Sequence, residues 1–306
     1  MKPVFFDKNI LVLGCNGFIG QNLAEMLTRL GANVSGCDLH NQSVIEISNY
    51  FKAQDLQLHQ MSRMWSKQYD FCINAIGGSI PASSISKPLI DFEVNATIEL
   101  YILHAIKETQ DTCKHIFISS AAIYGDTSEQ CIEFKPTSPY GWNKKIGELL
   151  CQEYSEVFGI ETMVIRPFSI YGLGLRKQIF WDLCKKFSLG GKIEVHGKGD
   201  ETRDYVYIDD MVNAIIHIMQ KTWNSFNVLD IGSTEHTSIR DVCELIAHEF
   251  EKLPDDLVFN QKVFPGSPKS LVSKRKSELL QDFEFKTSLS LGVQKTVAWF
   301  KDVHRS

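Results

Sequence analysis

Short apolar runs alternate with longer amphipathic ones through the first half of the chain. Residues 9–13 (Asn-Ile-Leu-Val-Leu) are an apolar run ending at Gly14, the pattern of a strand buried on both faces. Residues 20–30 carry Leu23, Leu27 and Leu30 near helical spacing, and Gly31 stops them. The pattern then predicts strands at 33–37, 71–75, 113–119 and 162–166, with helices near 92–107 and over 140–158 between the later ones. Strand-helix alternation of this kind implies an α/β fold, a doubly wound parallel sheet with helices on both faces.

After residue 171 the pattern loosens. Helical stretches remain near 178–188, 208–221, 239–251 and 289–300, the last preceded by a cap at Thr287 or Ser288. Between them lie turns such as Gly190-Gly191 and Gly197-Lys198-Gly199. The expected division is therefore a nucleotide-binding domain over 1–171, to which the chain returns near 205–232. A smaller, mixed α/β substrate domain takes 172–306.

Composition narrows the class without naming it. The 306 residues are 43% hydrophobic and 23% charged, as in soluble globular proteins. A net charge of −5 gives no general attraction to nucleic acid or to an anionic membrane, so any anion must be held by local groups. No apolar run is long enough to span a bilayer, and residues 1–7 are too short and mixed for a signal peptide. Eight cysteines, at 15, 37, 72, 113, 131, 151, 184 and 243, form no Cys-x-x-Cys pair and sit mostly in apolar runs. They read as buried, reduced thiols of a cytoplasmic protein, which makes the sequon Asn95-Ala96-Thr97 idle. Nothing in the pattern calls for a metal.

Gly14-Cys15-Asn16-Gly17-Phe18-Ile19-Gly20 follows the first strand and opens the first helix. In that setting glycines allow a tight turn and a close approach of backbone to a pyrophosphate, which the helix N-terminus then holds. A strand-to-helix turn without a ligand needs the same glycines. Asp38, ending the second strand, tips the balance: its carboxylate can accept from an adenosine ribose and would repel a 2′-phosphate, favouring NAD over NADP. Asp55 and Leu56 follow a β-like segment and are placed either beside the adenine or in a surface loop. Cys15 reads as a small spacer in the loop, or as a thiol whose oxidation would block the cofactor.

Tyr140-Gly141-Trp142-Asn143-Lys144 puts a phenol and an ammonium on one helix face. A phenol is a poor base near neutral pH unless positive charge favours its anion. Together with Asn74-Ala75-Ile76-Gly77, Val94-Asn95, the run from Ser119 to Gly125 and the run from Arg166 to Gly172, the pair resembles the extended short-chain dehydrogenase/reductase family. The likeness is to its nucleotide-sugar epimerase and dehydratase branch, and Gly197-Lys198-Gly199-Asp200-Glu201-Thr202-Arg203-Asp204-Tyr205 continues it into the second half.

That resemblance implies a Rossmann-type domain, NAD, a nucleotide-diphosphate sugar and a homodimer through the helices around 93–107 and 140–158. It also implies roles for residues. Ser120 would hold the reacting sugar oxygen, Tyr140 would move its proton, and Lys144 would bind the nicotinamide ribose. Ala75, Ile76, Gly77, Asn95 and Pro167 would line the cofactor. Ser119, Ser169, Arg203 and Lys269 would meet the substrate, Arg203 at its diphosphate. Asp209 and Asp210 read as the cap of the following helix.

Two departures shape the expected chemistry. The family's 4,6-dehydratases and decarboxylases follow the active-site Ser/Thr with acids, where this chain has Ala121 and Ala122. Ser169 stands where relatives often have Asn, and Phe264-Pro265-Gly266-Ser267 lacks the Arg and the acid of a late Arg-x-Gly-Asp. The expectation is a 4-epimerase-type enzyme. The alternatives are a nucleotide-4-ketosugar reductase, a 4-dehydrogenase, or an NAD-binding regulatory protein without catalysis.

Overall fold

The computed structural model describes residues 4–53, 64–78, 81–109, 112–128, 134–262, 266–274 and 276–305. Seven strands form one sheet: β1 (Asn9–Leu13), β2 (Asn33–Asp38), β3 (Asn49–Lys52), β4 (Phe71–Asn74), β5 (Lys114–Ile118), β6 (Thr162–Pro167) and β11 (Phe226–Ile231), in the order β11-β6-β5-β4-β1-β2-β3. Neighbours from β3 through β6 pair in parallel, so each return needs a crossover. The crossovers include α1 (Phe18–Arg29), α4 (Ile98–Thr109) and α5 (Pro139–Phe158). Leu11, Leu13, Cys72, Phe117 and Val164 from the strands pack with Ile102, Leu103 and Cys151 from the helices in one core cluster. This is the Rossmann-like α/β sheet that the alternation predicts. Two sheet members are not predicted as strands from the sequence: the short, half-polar edge strand β3 and β11 at the opposite edge.

By internal contacts the chain forms two units. The first takes Met1–Ile123, Ser138–Arg166 and Ile215–Leu229; the second takes Tyr124–Thr137, Pro167–Ala214 and Asp230–Ser306. These bounds differ from the expected boundary at 171 and return near 205–232, and residues 124–137 go with the second unit.

Within the second unit, β7 (Ser169–Tyr171) pairs parallel with β10 (Tyr205–Tyr207). A three-stranded set orders β12 (Thr237–Ser238), β9 (Thr202–Arg203) and β14 (Ser270–Leu271). The helix Ile239–Glu249 starts with a capping box, Ser238 and Asp241 bonding each other's backbone. Asp210 does not cap its own helix, as the sequence suggested, but accepts from the N–H groups of Lys286 and Thr287. No helix among the described residues is long and apolar enough to cross a membrane.

Candidate active site

β1 lies between β2 and β4, the place where the strand order reverses and where loops at the carboxyl ends of a parallel sheet leave a crevice. Gly14 leaves the end of β1 with φ +77°, a conformation glycine takes without cost. A Cβ there would sit 3.0 Å from the backbone of Ala75, so the loops after β1 and β4 touch main chain to main chain. Gly17 is the N-cap of α1 and no side chain caps it, which leaves first-turn N–H groups beside the loop for an anion.

Asp38 ends β2 as expected, and its Oδ2 accepts from the Asn16 backbone at 3.0 Å while Oδ1 accepts from Leu39 N–H at 2.7 Å. These bonds aim the carboxylate along the rim of the loop. The Asn16 side chain ties down the segment after β2, donating to the Gln42 carbonyl and accepting from Val44 N–H. Cys15 is fully buried, and burial pushes its thiol up to about 12, so it is the spacer rather than a reactive thiol. Asp55 and Leu56 lie outside the described residues.

Tyr140 and Lys144 stand one turn apart at the start of α5, whose N-cap is Ser138 with Pro139 in its first turn. Lys144 is 2% exposed. Its Nζ donates to the carbonyls of Ile118 (2.8 Å) and Ile76 (3.4 Å), joining the ends of β5 and β4. Burial brings this ammonium down to about 8, against the opposing pull of Glu99 and Asp91. Burial likewise pushes the Tyr140 phenol up to about 12, with the Ser120 hydroxyl in hydrogen-bonding reach and lowering it. Raised this far, the phenol does not stand as phenolate at neutral pH in the protein alone. Ser120 Oγ is itself oriented by Ala122 N–H at 3.1 Å, in the 3₁₀ turn Ala121–Tyr124.

The space beside Gly77 tests whether these residues fit a cofactor. A Cβ there would lie 3.0 Å from Lys144 Nζ and 3.1 Å from Asn95 Oδ1. Asn95 is 1% exposed, and its Oδ1 is buried with no hydrogen-bond partner. An exposed glycine flanked by an ammonium and an unmet acceptor is a cradle for a hydroxyl- or amide-bearing group, which is what the nicotinamide half of a dinucleotide offers.

Ser119 is corrected by its surroundings. It is 2% exposed and donates its proton to Glu148 Oε1 at 2.6 Å. Glu148 also takes a two-pronged pair from Arg166, with Nε at 2.9 Å and Nη2 at 2.7 Å, so Ser119 braces a core ion pair. Two further groupings escape sequence reasoning altogether. Asp91 Oδ2 accepts from Asn143 Nδ2 at 2.7 Å, within α5 between Tyr140 and Lys144. Glu99, fully buried in the first turn of α4, accepts from Asn74, His115 and Cys151. Burial would raise its carboxyl, but His115, Cys151 and Asn74 hold it below the usual range. These residues look like ordinary core positions in the sequence, and only their partners reveal them.

In the second unit, the Arg203 guanidinium donates to the carbonyls of Thr202, Pro268 and Lys269 and to Ser267 Oγ. Lys269 is exposed, and its backbone N–H donates to Asp126 Oδ2 at 2.7 Å. Ser169 is partly buried at the start of β7, and Pro167 ends β6. Asp204, next to Arg203 and fully buried, accepts from Ser233, Thr234 and Ser273 and thereby anchors both flanking loops.

A model of the family described as the NAD dependent epimerase/dehydratase family matches residues 10–232. An uncharacterized UDP-glucose epimerase of Bacillus subtilis is 26% identical, across 97% of this chain and 99% of its own length. A UDP-N-acetyl-alpha-D-glucosaminuronate decarboxylase of Bacillus cytotoxicus is also 26% identical, across 97% and 98%. Among solved structures, the UDP-glucuronic acid 4-epimerase of Bacillus cereus, in complex with UDP-glucuronic acid and NAD, superposes with a TM-score of 0.86 at 25% identity, covering 96% of this chain and 99% of that one.

Proposed function

The chain belongs to the NAD dependent epimerase/dehydratase family, and on that premise we propose that this enzyme is a nucleotide-sugar epimerase of the 4-epimerase type. The observation that carries the reading is the composition of one site: Ser120, Tyr140 and Lys144 stand together, and Ala121 and Ala122 follow where elimination would need an acid. Neither alanine can move a proton, so decarboxylase and dehydratase relatives do not extend their chemistry to it.

Bound NAD would supply an acceptor for the hydride of a sugar carbon, one able to return it. The chain's residues do the rest. Tyr140 Oη takes the proton of the hydroxyl on that carbon and returns it after the sugar has turned its other face. Its phenol, raised to about 12 by burial, would need positive charge beside it to become a usable acceptor. Ser120, fixed by Ala122 N–H, holds the same oxygen. Lys144 has two of its three donors on Ile118 and Ile76, and the third serves a ribose hydroxyl. Gly14, Gly17, Phe18, Ile19 and Gly20 hold the pyrophosphate, Asp38 the adenosine ribose, and Ala75, Ile76, Gly77, Asn95 and Pro167 the rest of the cofactor.

The second unit binds the nucleotide diphosphate, with Arg203 and Lys269 as its cations and Ser169 beside them. Carbonyl contacts occupy part of the Arg203 fork and set its plane. Exposed Leu100 on α4 and Trp142, Leu149 and Val157 on α5, the two helices the resemblance implies, supply apolar surface for a homodimer. The enzyme works in the cytoplasm, where its buried free thiols stay reduced.

The test is incubation with a panel of nucleotide sugars, with and without added NAD, followed by NMR of the products. An inverted hydroxyl without net NADH is the expected result. A ketosugar accumulating with NADH, or a ketosugar reduced at its expense, assigns the 4-dehydrogenase or the 4-ketosugar reductase instead.

A further inference from the structure

Glu99 is an acid in the core, on a helix whose other inward residues are aliphatic: Ile98, Ile102, Leu103, Ala105 and Ile106 are all buried with it. A hydrocarbon at that position would bury more cheaply, because desolvating a carboxylate costs more than packing a methyl group. The carboxylate is nevertheless fully engaged. Oε1 accepts from His115 Nε2 (2.6 Å, β5) and from Cys151 Sγ (2.9 Å, α5), and Oε2 accepts from Asn74 Nδ2 (2.6 Å, the last residue of β4).

The bond to Asn74 has a consequence at the cofactor loop. With Nδ2 committed to the carboxylate, Asn74 presents Oδ1 to the N–H of Ile76 at 3.0 Å. The reverse orientation would set carbonyl against carboxylate and NH₂ against N–H, so Glu99 decides which way the amide points. Ile76 in turn gives its carbonyl to Lys144 Nζ. The path from core to site is thus Glu99, Asn74, Ile76, Lys144, each link a hydrogen bond.

A second observation places Glu99 in register with the site. The turn before α4, Glu93–Thr97, is a π-helix, whose i→i+5 bonding admits one extra residue. Asn95 lies in that turn and Glu99 four residues on, and both are buried. Asn95 Oδ1 borders the space beside Gly77, while Glu99 holds Asn74. One helical segment therefore addresses both ends of the 74–77 loop.

We propose that Glu99 is a positioning residue that sets the 75–77 loop, and with it the carbonyl that receives Lys144, for the nicotinamide half of the cofactor. Its task concerns the cofactor and not the sugar, so the inference stands or falls independently of the proposed epimerase chemistry. Glu99→Gln keeps an acceptor for Asn74, and its NH₂ faces His115 Nε2. The imidazole accommodates this by moving its proton to Nδ1, an atom with no partner at present. Glu99→Met offers only a weak thioether acceptor in place of the carboxylate.

The experiment titrates full-length wild type, Glu99→Gln and Glu99→Met with NADH by fluorescence, and with ADP by calorimetry, ADP reporting the adenosine half alone. The expected result is NADH affinity at least 10-fold weaker in Glu99→Met with an altered emission of the bound nicotinamide. ADP affinity stays within 2-fold, and Glu99→Gln stays within about 3-fold of wild type for both. Unchanged NADH affinity in Glu99→Met, an equal loss for ADP and NADH, or a Glu99→Gln variant as weak as Glu99→Met would each overturn the proposal. If Glu99→Met does not fold, Asn74→Leu breaks the same path one link later and must show the same selective loss.

Discussion

The two units anchor their polar groups in different ways. In the first, side chains hold side chains and carbonyls at strand ends: Lys144 on Ile118 and Ile76, Glu148 between Ser119 and Arg166, Glu99 on Asn74. The holders are strands and long helices of one sheet, so the geometry is set by the fold itself. In the second, Arg203 leans on carbonyls near 268–269 and Asp204 gathers N–H groups from 233–234 and 273, all in short strands or turns. A site held by loop backbone changes when the loop changes, whereas one held by sheet ends does not.

The comparison breaks most visibly at Tyr140. Tyr140→Phe should lower turnover by about 10²–10⁴-fold, the usual worth of a proton-transfer group, while NADH affinity stays within about 2-fold. A parallel loss of cofactor binding would show that the phenol holds the fold rather than the proton. Next is the core pair. Glu148→Ala leaves Arg166 and Lys145 without their carboxylate in a buried setting, and should lower unfolding stability by about 3–5 kcal/mol in urea titrations.

Lys144 gives a smaller effect with a defined sign. Its folded pKa of about 8 lies below the ordinary 10.5, so between those values the unfolded chain binds more protons than the folded one. Wild-type stability, measured against Lys144→Met, should therefore rise as pH rises from 8 to 10.5, by at most about 3 kcal/mol. Tyr140, raised to about 12, opposes only above pH 10, and a difference that is flat or falling below that pH would contradict the burial of Lys144. The smallest change is expected in the second unit. Arg203→Ala should raise KM for the nucleotide sugar by about 10–100-fold, the worth of one charge-assisted contact, with NADH affinity and melting temperature near wild type. A large loss of stability would instead make its carbonyl contacts its main role.

The sequence shows the cofactor unit clearly for a physical reason. A phosphate loop needs glycines at fixed offsets, buried parallel strands need unbroken apolar runs, and Tyr-x-x-x-Lys needs one helix turn; each leaves a pattern in the residues. Gly14, Asp38, Tyr140 and Lys144 stand out that way, whereas Ser120 is singled out by the family resemblance. Glu99, Asn74, Asp91 and Asn143 leave none, because a buried polar group is defined by partners far away in sequence, 25 residues off for Glu99 and Asn74. The π-turn at Glu93–Thr97 shifts the helix face by one residue, which hides Glu99 from any 3.6-residue pattern. Ser119 misleads for the converse reason: it adjoins Ser120 in sequence, but successive residues of an extended segment point opposite ways, and it faces Glu148 in the core.

The proposed chemistry, hydride removal and return at one carbon without elimination, is tested most directly by turnover of a nucleotide hexose in D₂O followed by NMR. The prediction is a product inverted at one carbinol carbon with no deuterium bonded to any sugar carbon, since the hydride never mixes with solvent and no C–H is lost as a proton. Deuterium at the carbon beside the reacting one, or a 4-keto-6-deoxy product, would mean that elimination takes place despite Ala121 and Ala122, and would contradict it.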